Sequence, residues 1–252
     1  MSTRPDFSDV LGDLGPVTRA VSQAILTRRS VRGFRDTPVE KTTIETILRT
    51  AARSPSGSNI QPWHVTVVAG DVRDDIVAAV CQAAETEPET HTAQYDYYPT
   101  QWRSPYIDRR RATGWGLYGT LGIEKGDKVR MRAQHMRNYE FFGAPVGLFF
   151  TMDADMEKGS WLDIGTFIQS VMIAARGHGL DTCPQQAWSQ YWRILFPKLG
   201  ISDDKVLVCG MALGFIDNAE PANAFWTERE PLDGFASFSG FQSQSPPNGH
   251  AG

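Results

Sequence analysis

Apolar Val17, Val21 and Ile25 recur at four-residue steps between Pro16 and Thr27, which predicts a helix with one apolar stripe. A second helix is expected from Thr37 as N-cap, with Pro38 at the first helical position and Glu40 closing a capping box. Its inner face reads Ile44, Ile47, Leu48 and Ala51, and it should stop at Ser54-Pro55, because the residue before a proline is pushed out of helical geometry. His64 to Val68 then reads as a buried strand. A third helix follows, with Asp71 as its capping candidate and Ile76, Val77 and Val80 on its buried face. The pattern breaks between Glu85 and Arg111, where THTAQYDYYPTQWRSPY is crowded with aromatics and shows no period. Unpatterned segments of that length are lids or disordered, and the aromatics argue against disorder. We read about 86–138 as a lid excursion carrying two short helices, near 108–121 and 126–138, with Asp108 to Arg111 as their solvated face.

Periodicity returns with Pro145 to Met152, a continuous apolar run expected to be a buried strand. The strongest helix signal follows, with Ser160 as N-cap, Asp163 in the first turn and Leu162, Phe167, Ile168, Val171, Met172 and Ala175 along it. It ends at Gly177-His178-Gly179, a glycine-rich C-cap, and its nearly apolar circumference marks it as the central buried helix. Leu180 to Trp188 reads as a connector, Ser189 to Phe196 as a helix stopped by Pro197, and Lys205 to Gly214 as a last buried strand. The end, from about 237 to 252, should be a flexible tail. Helices and strands alternate without repeats, and 252 residues are long enough for one large domain or two small ones.

Composition narrows the function classes. A formal net charge of −4 argues against a nucleic-acid binder or an anionic-membrane binder, so any basic site is small and local. The first sixteen residues lack the apolar core of a signal peptide, and no run approaches the roughly 18 apolar residues of a membrane span. Cys81, Cys183 and Cys209 are far apart and without metal-ligand spacing, as expected of thiols in a reducing, cytoplasmic setting.

Against that acidic background TRRSVRGF stands out, with Arg28, Arg29, Arg32 and Arg35 close together around Ser30. Such a run is either a solvated helix end or an anion site, since guanidinium forks match phosphate oxygens two at a time. The small-residue loop SPSGSNIQPW, Ser54 to Trp63, is either a turn or a place of close ligand approach. Gly114-Trp-Gly-Leu-Tyr-Gly119 spells G-x-G-x-x-G, but it follows a charged segment instead of a strand and is rejected as a nucleotide loop. Trp115 and Tyr118 remain as lid aromatics. No zinc signature, hydrolase elbow or spaced carboxylate pair is present, so a cofactor is expected to supply the chemistry.

TRRSVRGF at 27–34, SPSGSNIQPW at 54–63, GLDTCPQQAW at 179–188 and VCGMALGF at 208–215, in that order and spacing, resemble the flavin-dependent nitroreductase family, over about residues 16 to 235. The middle segment with WGLYG looks like the branch acting on nitrobenzoates and related nitroaromatics. The resemblance implies a single domain over 1–252 with an α+β fold, a mostly antiparallel sheet wrapped by helices, in an intertwined homodimer with FMN at the subunit interface and NAD(P)H as electron donor. It implies that Arg28 grips the FMN phosphate, that Arg29 and Ser30 line the phosphate and ribityl chain, and that Arg32 lies toward the pyrimidine edge. Pro55, Ser56, Gly57 and Asn59 match a loop reaching the flavin from the other subunit. Pro184, Gln185, Gln186 and Ala187 match the stretch behind the ring, and Arg229 matches a second phosphate arginine. Many relatives have Glu-Gly where this chain has Gln186-Ala187. The implied reaction is ping-pong hydride transfer to a nitroaromatic, with Trp115 and Tyr118 setting substrate size. The rivals are another FMN enzyme on this fold (quinone reductase, dehalogenase or azoline dehydrogenase) and a non-enzymatic FMN-binding protein.

Overall fold

The structure, a computed structural model, describes residues 4–241, so most of the expected flexible tail lies outside the described residues. Eight helices and four strands follow one another as α1 (Ser8–Leu11), α2 (Pro16–Thr27), α3 (Lys41–Ala51), β1 (His64–Ala69), α4 (Gly70–Thr86), α5 (Tyr106–Thr120), α6 (Lys128–Met136), β2 (Val146–Asp153), α7 (Lys158–Gly177), β3 (Asp181–Gln185), α8 (Trp192–Leu199) and β4 (Lys205–Gly214). The strands form one sheet in the order β1-β2-β4-β3, and every pairing is antiparallel. Helices cover both faces of this sheet, the α+β arrangement expected. The central strands β2 and β4 are buried almost end to end, which is why both read as unbroken apolar runs. β1 was expected to be buried but is an edge strand, with His64 and Val67 exposed.

One core layer gathers Ile44, Ile47, Phe150, Ile164, Phe167 and Val171 between the sheet, α3 and α7. The opposite layer is aromatic, with Tyr139, Phe141, Phe149, Trp188 and Phe196 packed together. Two glycines on the central strands make room for it. A Cβ on Gly147 would come within 2.3 Å of the Phe141 ring, and one on Gly210 within 2.4 Å of Trp188. Those rings can therefore lie flat against bare backbone and stack on each other at 4.5 Å.

Several expected boundaries move. α3 begins at Lys41 with Glu40 as N-cap and no side-chain capping bond, so Thr37 and Pro38 precede the helix; the first turn is anchored by the Glu40 carbonyl alone, which accepts from the Thr43 and Ile44 amides. Asp71 lies inside the first turn of α4, one residue after Gly70, whose φ of +55° makes the abrupt strand-to-helix change. Ser160 is likewise inside α7, buried, with its hydroxyl turned to the Met156 sulfur at 3.6 Å. α7 is not apolar-buried all round, since Leu162 is 72% exposed. Residues 181–185, expected as a connector, form β3; Pro184 hid the strand, and it is tolerated because β3 is an edge. Pro197 does not stop α8, which starts at Trp192 and runs on to Leu199 before Gly200 adopts the left-handed cap at φ +64°.

The apolar stripe of α2 is the main departure from a closed core. Val17, Val21 and Ile25 are 77%, 54% and 49% exposed, and no residue of this helix is buried.

Candidate functional site

α2 ends at Thr27 and the chain leaves it extended, with Ser30 bridging in parallel to Thr182 of β3 and the Val31 amide donating to the Thr182 carbonyl at 3.1 Å. The arginine cluster is thereby laid against the outer edge of the sheet. Asn223 fixes its shape. The Arg32 amide donates to Asn223 Oδ1 at 2.7 Å, Asn223 Nδ2 donates to the Gly33 and Asp217 carbonyls, and the Arg29 guanidinium donates to the Asn223 carbonyl. Gly33 is needed here because a Cβ would meet Glu220 at 2.1 Å.

Three adjoining cavities open around this edge, and Arg32 lines all of them. The cationic cavity, about 450 Å³, is walled by Arg28, Arg29, Ser30, Arg32, Gln169 and Arg229. The one over β3, about 620 Å³, takes in Pro184, Gln185, Gln186 and Ala187 together with Tyr95, Trp161 and Gly165. An aromatic one, about 670 Å³, lies under α5 and is walled by Tyr98, Trp102, Tyr106, Tyr118 and Phe142. Tyr98, His135 and Asn138 are shared between the last two.

Burial, and then the like charge of Arg229, pull the Arg28 guanidinium below its ordinary value. Two guanidinium groups held near each other in a half-buried cleft favour an anion between them. Arg29 is also lowered by burial, but Asp181 pulls the other way, and its guanidinium lies 4.4 Å over the Trp226 ring. Asp181 is itself pushed up by burial against the opposing pull of Arg176, which donates to it at 2.8 Å. Arg29 is thus held by protein contacts on the wall of the cationic cavity. Arg35 is exposed, donates to the Ile216 carbonyl and lies 5.7 Å over the Phe215 ring, and it lines none of the three cavities.

Over β3, Gln186 Nε2 donates to the Tyr95 hydroxyl at 2.7 Å and to Ser189 Oγ at 2.9 Å, while Tyr95 donates to the Val208 carbonyl at 2.5 Å. Burial pushes the Tyr95 phenol well up, so it stays protonated and holds that carbonyl. Gln185 Nε2 donates to the Asn138 carbonyl at 2.6 Å, and its Oε1 accepts from the indole of Trp188 at 3.4 Å. The strand is therefore tied from both sides. Burial, and then Arg132, lower the His135 imidazole, leaving it neutral at neutral pH.

Pro55, Ser56, Gly57 and Asn59 do not line these cavities; they sit on another face of α7. The Gly57 amide donates to both Asp163 oxygens at 3.2 Å, and Thr166 Oγ1 donates to the Pro55 carbonyl. Gly165, Ile168 and Gln169 of the same helix face the cavities instead. Ser58, Asn59 and Gln61 have φ of +50°, +60° and +49°, a run of left-handed non-glycine residues costing on the order of 1–3 kcal/mol each. Strain of this kind concentrates at ligand clamps and switch regions.

Trp115 is exposed and is not among the residues lining the three cavities, packing edge-on behind Tyr118 at 5.9 Å with Lys125 over it. Of the two expected lid aromatics, Tyr118 alone faces a cavity directly. The G-x-G-x-x-G letters fall wholly within α5, where only the middle glycine serves packing: a Cβ on Gly116 would meet Phe225 at 2.4 Å, while Gly114 and Gly119 face open space. Asp108 to Arg111 are all exposed, as expected of a solvated face, and Arg109 and Arg110 also line the aromatic cavity. Tyr95, Tyr98, Trp102, His135 and Asn138 carried no sequence signal, because the excursion has no period; the density of Tyr and Trp was the one available pointer. Among the described residues no group of three His, Cys, Asp or Glu could hold a metal, and no helix is long and apolar enough to cross a membrane.

The Nitroreductase family model matches residues 25–215. The chain is 38% identical over 223 residues to the nitrobenzene nitroreductase of Ectopseudomonas oleovorans, covering 88% of this chain and 98% of that one. It is 36% identical over 226 residues to the 4-nitrobenzoate reductase of Nocardioides sp. (strain LMS-CY), covering 88% and 91%. Among solved structures, the FMN and NADPH-dependent nitroreductase NfnB from Sphigopyxis sp. strain HMH superposes with a TM-score of 0.85 at 39% identity, over 88% of this chain and 99% of that one. NfnB from Mycobacterium smegmatis, in complex with NADPH, superposes with a TM-score of 0.84 at 30% identity over the same shares. With the match spanning the arginine cluster, the loop at 54–63, β3 and β4, the chain belongs to the Nitroreductase family.

Proposed function

We propose that this protein is an FMN-dependent NAD(P)H oxidoreductase that reduces nitroaromatic compounds, acting as one nitroreductase-like domain in a homodimer. The observation that carries the reading is the junction at Arg32, where a cationic cavity meets an aromatic slot beside the β3 edge. The residues present fit FMN. Burial, and then the neighbouring charge of Arg229, disfavour the bare Arg28 cation, and both arginines line the same cavity, which suits the doubly charged phosphate. When bound, FMN supplies a two-electron relay, accepting hydride from NAD(P)H and giving it to the nitro group.

The chain's own residues bind and orient. Arg28 and Arg229 hold the phosphate, while Arg29 and Ser30 line the adjoining cleft. Arg32, held by the Asn223 carboxamide and by its bond to the Ser30 carbonyl, adds positive charge where electrons accumulate. Pro184, Gln185, Gln186 and Ala187 form the wall behind the ring, kept in place by Tyr95 and Trp188. Tyr118, with Trp115 behind it, bounds the slot that donor and acceptor occupy in turn, so residues 86–138 act as a lid. Overall, nitroarene, NAD(P)H and a proton yield the nitroso compound, NAD(P)⁺ and water, and a second NAD(P)H and proton take nitroso to hydroxylamine. Under anaerobic conditions, purified protein supplied with FMN should turn over NADPH catalytically only when a nitroarene is present, with parallel lines in double-reciprocal plots. Intersecting lines would contradict a single shared slot.

The exposed stripe of Val17, Val21 and Ile25 supports the homodimer, because a soluble helix seldom leaves its whole apolar face uncovered. In the dimer, Pro55, Ser56, Gly57 and Asn59 would reach the partner's flavin, which gives the strained backbone of this loop at Ser58, Asn59 and Gln61 a use. Light scattering should return twice the 28.0 kDa chain mass, and Val21→Asp should shift it toward monomer with loss of flavin. A wild-type monomer at micromolar concentration would contradict this. The free thiols of Cys81, Cys183 and Cys209 suit a reducing, cytoplasmic location.

A further inference from the structure

The aromatic cavity has a charge asymmetry that shape alone does not require. Arg32, Arg109 and Arg110 line it, and no Asp or Glu does. Two of these cations are already engaged. Arg109 is paired with Glu230, and Arg32 donates to the Ser30 carbonyl at 3.2 Å. Arg110 differs. Its guanidinium lies 4.8 Å from the Trp102 ring centroid and 5.3 Å from that of Tyr98, and among the described residues it has no hydrogen bond or ion pair. A guanidinium lying over aromatic rings is held in position through its face while its N–H groups stay available at its edge. Gln134, on the same cavity wall, has a buried amide nitrogen with no hydrogen-bond partner. A cavity with flat aromatic walls, an unpaired fork donor and an unsatisfied amide is complementary to a flat anion.

We propose that Arg110 is a specificity-determining residue that pairs with a carboxylate carried on the aromatic acceptor, so that the enzyme prefers nitroaryl carboxylates over uncharged nitroarenes. This rests on the nitroaromatic reading of the site and narrows its substrate class. Arg110 stands on α5, a regular helix, while Tyr98 and Trp102 come from the unpatterned segment before it, so acceptor recognition joins the two halves of the excursion. A charge-assisted fork contact in a partly exposed cleft changes affinity by about 10- to 100-fold.

The test compares wild type with Arg110→Gln and Arg110→Lys as FMN-loaded protein, using 4-nitrobenzoate and nitrobenzene as acceptors, and NADPH or NADH as donor. Calorimetric titration with benzoate, which is not reduced, gives a readout independent of turnover. Arg110→Gln is expected to lower the ratio of kcat/KM for 4-nitrobenzoate to that for nitrobenzene about tenfold or more, mainly through KM, and to weaken benzoate binding in parallel. Arg110→Lys should restore part of the ratio, since it keeps the charge and loses the fork. Equal losses on both acceptors with unaltered benzoate affinity would overturn the proposal. So would a loss that appears with NADPH and not with NADH, which would assign the cation to the donor's extra phosphate. If the wild type reduced neither acceptor yet bound benzoate through Arg110, the nitroaromatic reading would fail while the anion contact stood. Absence of benzoate binding in the wild type would overturn the contact itself.

Discussion

Replacing Arg28 by alanine is expected to weaken FMN binding about 10- to 100-fold, the loss that accompanies one hydrogen-bonded contact to a charged group, about 1.5–3 kcal/mol. The sign follows from the neighbourhood. Burial and Arg229 both make the bare Arg28 cation costly, and a phosphate between the two would relieve that cost. Removing Arg28 therefore makes the empty cleft less strained and the loaded one much weaker, so the apoprotein should not lose thermal stability. Equilibrium dialysis of FMN against wild type and variant measures the effect. Arg35→Ala is the control, because that side chain is exposed and bonded to the Ile216 carbonyl. Equal FMN affinity for Arg28→Ala and wild type would remove Arg28 from the phosphate site.

Trp188→Ala should be the most damaging single core change described here. The indole is fully buried, stacks on Phe141 at 4.5 Å, meets Phe149 and Tyr139 edge-on, and fills the space left by the missing side chain of Gly210. Truncating a large aromatic in such packing costs ~3–5 kcal/mol. The same ring donates to Gln185, so its loss also frees the strand that carries Pro184 to Ala187. Urea denaturation should show the stability loss. Should the alanine variant fail to accumulate, Trp188→Phe keeps most of the packing and deletes the indole donor, and it should still lower FMN affinity. A stability loss under 1 kcal/mol with unaltered FMN affinity would contradict the coupling of core and site.

How much of this was legible in the chain differs between elements for physical reasons. β2 and β4 were found because central strands buried on both faces must be apolar throughout. β3 was missed because an edge strand is free to contain a proline and polar residues, and LDTCPQQAW therefore looks like a turn. The helix starts at Thr37, Asp71 and Ser160 were misplaced for one reason. Each offered a capping side chain, yet the N-caps of α3, α4 and α7 are Glu40, Ala69 and Glu157, none of which makes a side-chain capping bond. Capping contributes only about 1 kcal/mol, and packing against the sheet outweighs it.

The α2 stripe was legible as a helix face, but it stays exposed among the described residues, and periodicity alone does not say what an apolar face packs against. The arginine cluster could be seen, and its sorting could not. Asn223, nearly two hundred residues away, turns the backbone so that Arg32 meets all three cavities. Arg110 is exposed, as a run of charges usually is; what the run could not show is that its guanidinium lies over Tyr98 and Trp102, in a segment without a period.

The central claim is that one cavity system carries electrons from NAD(P)H to a nitro group through bound FMN. Anaerobic stopped-flow absorbance of the FMN-loaded protein tests it in two separated half-reactions. The account predicts that NADPH or NADH bleaches the flavin band, and that mixing the bleached protein with 4-nitrobenzoate restores it while the nitro compound is consumed. A band that bleaches with the nicotinamide and is restored by no nitroarene would contradict the account, as would protein that takes up no FMN at all.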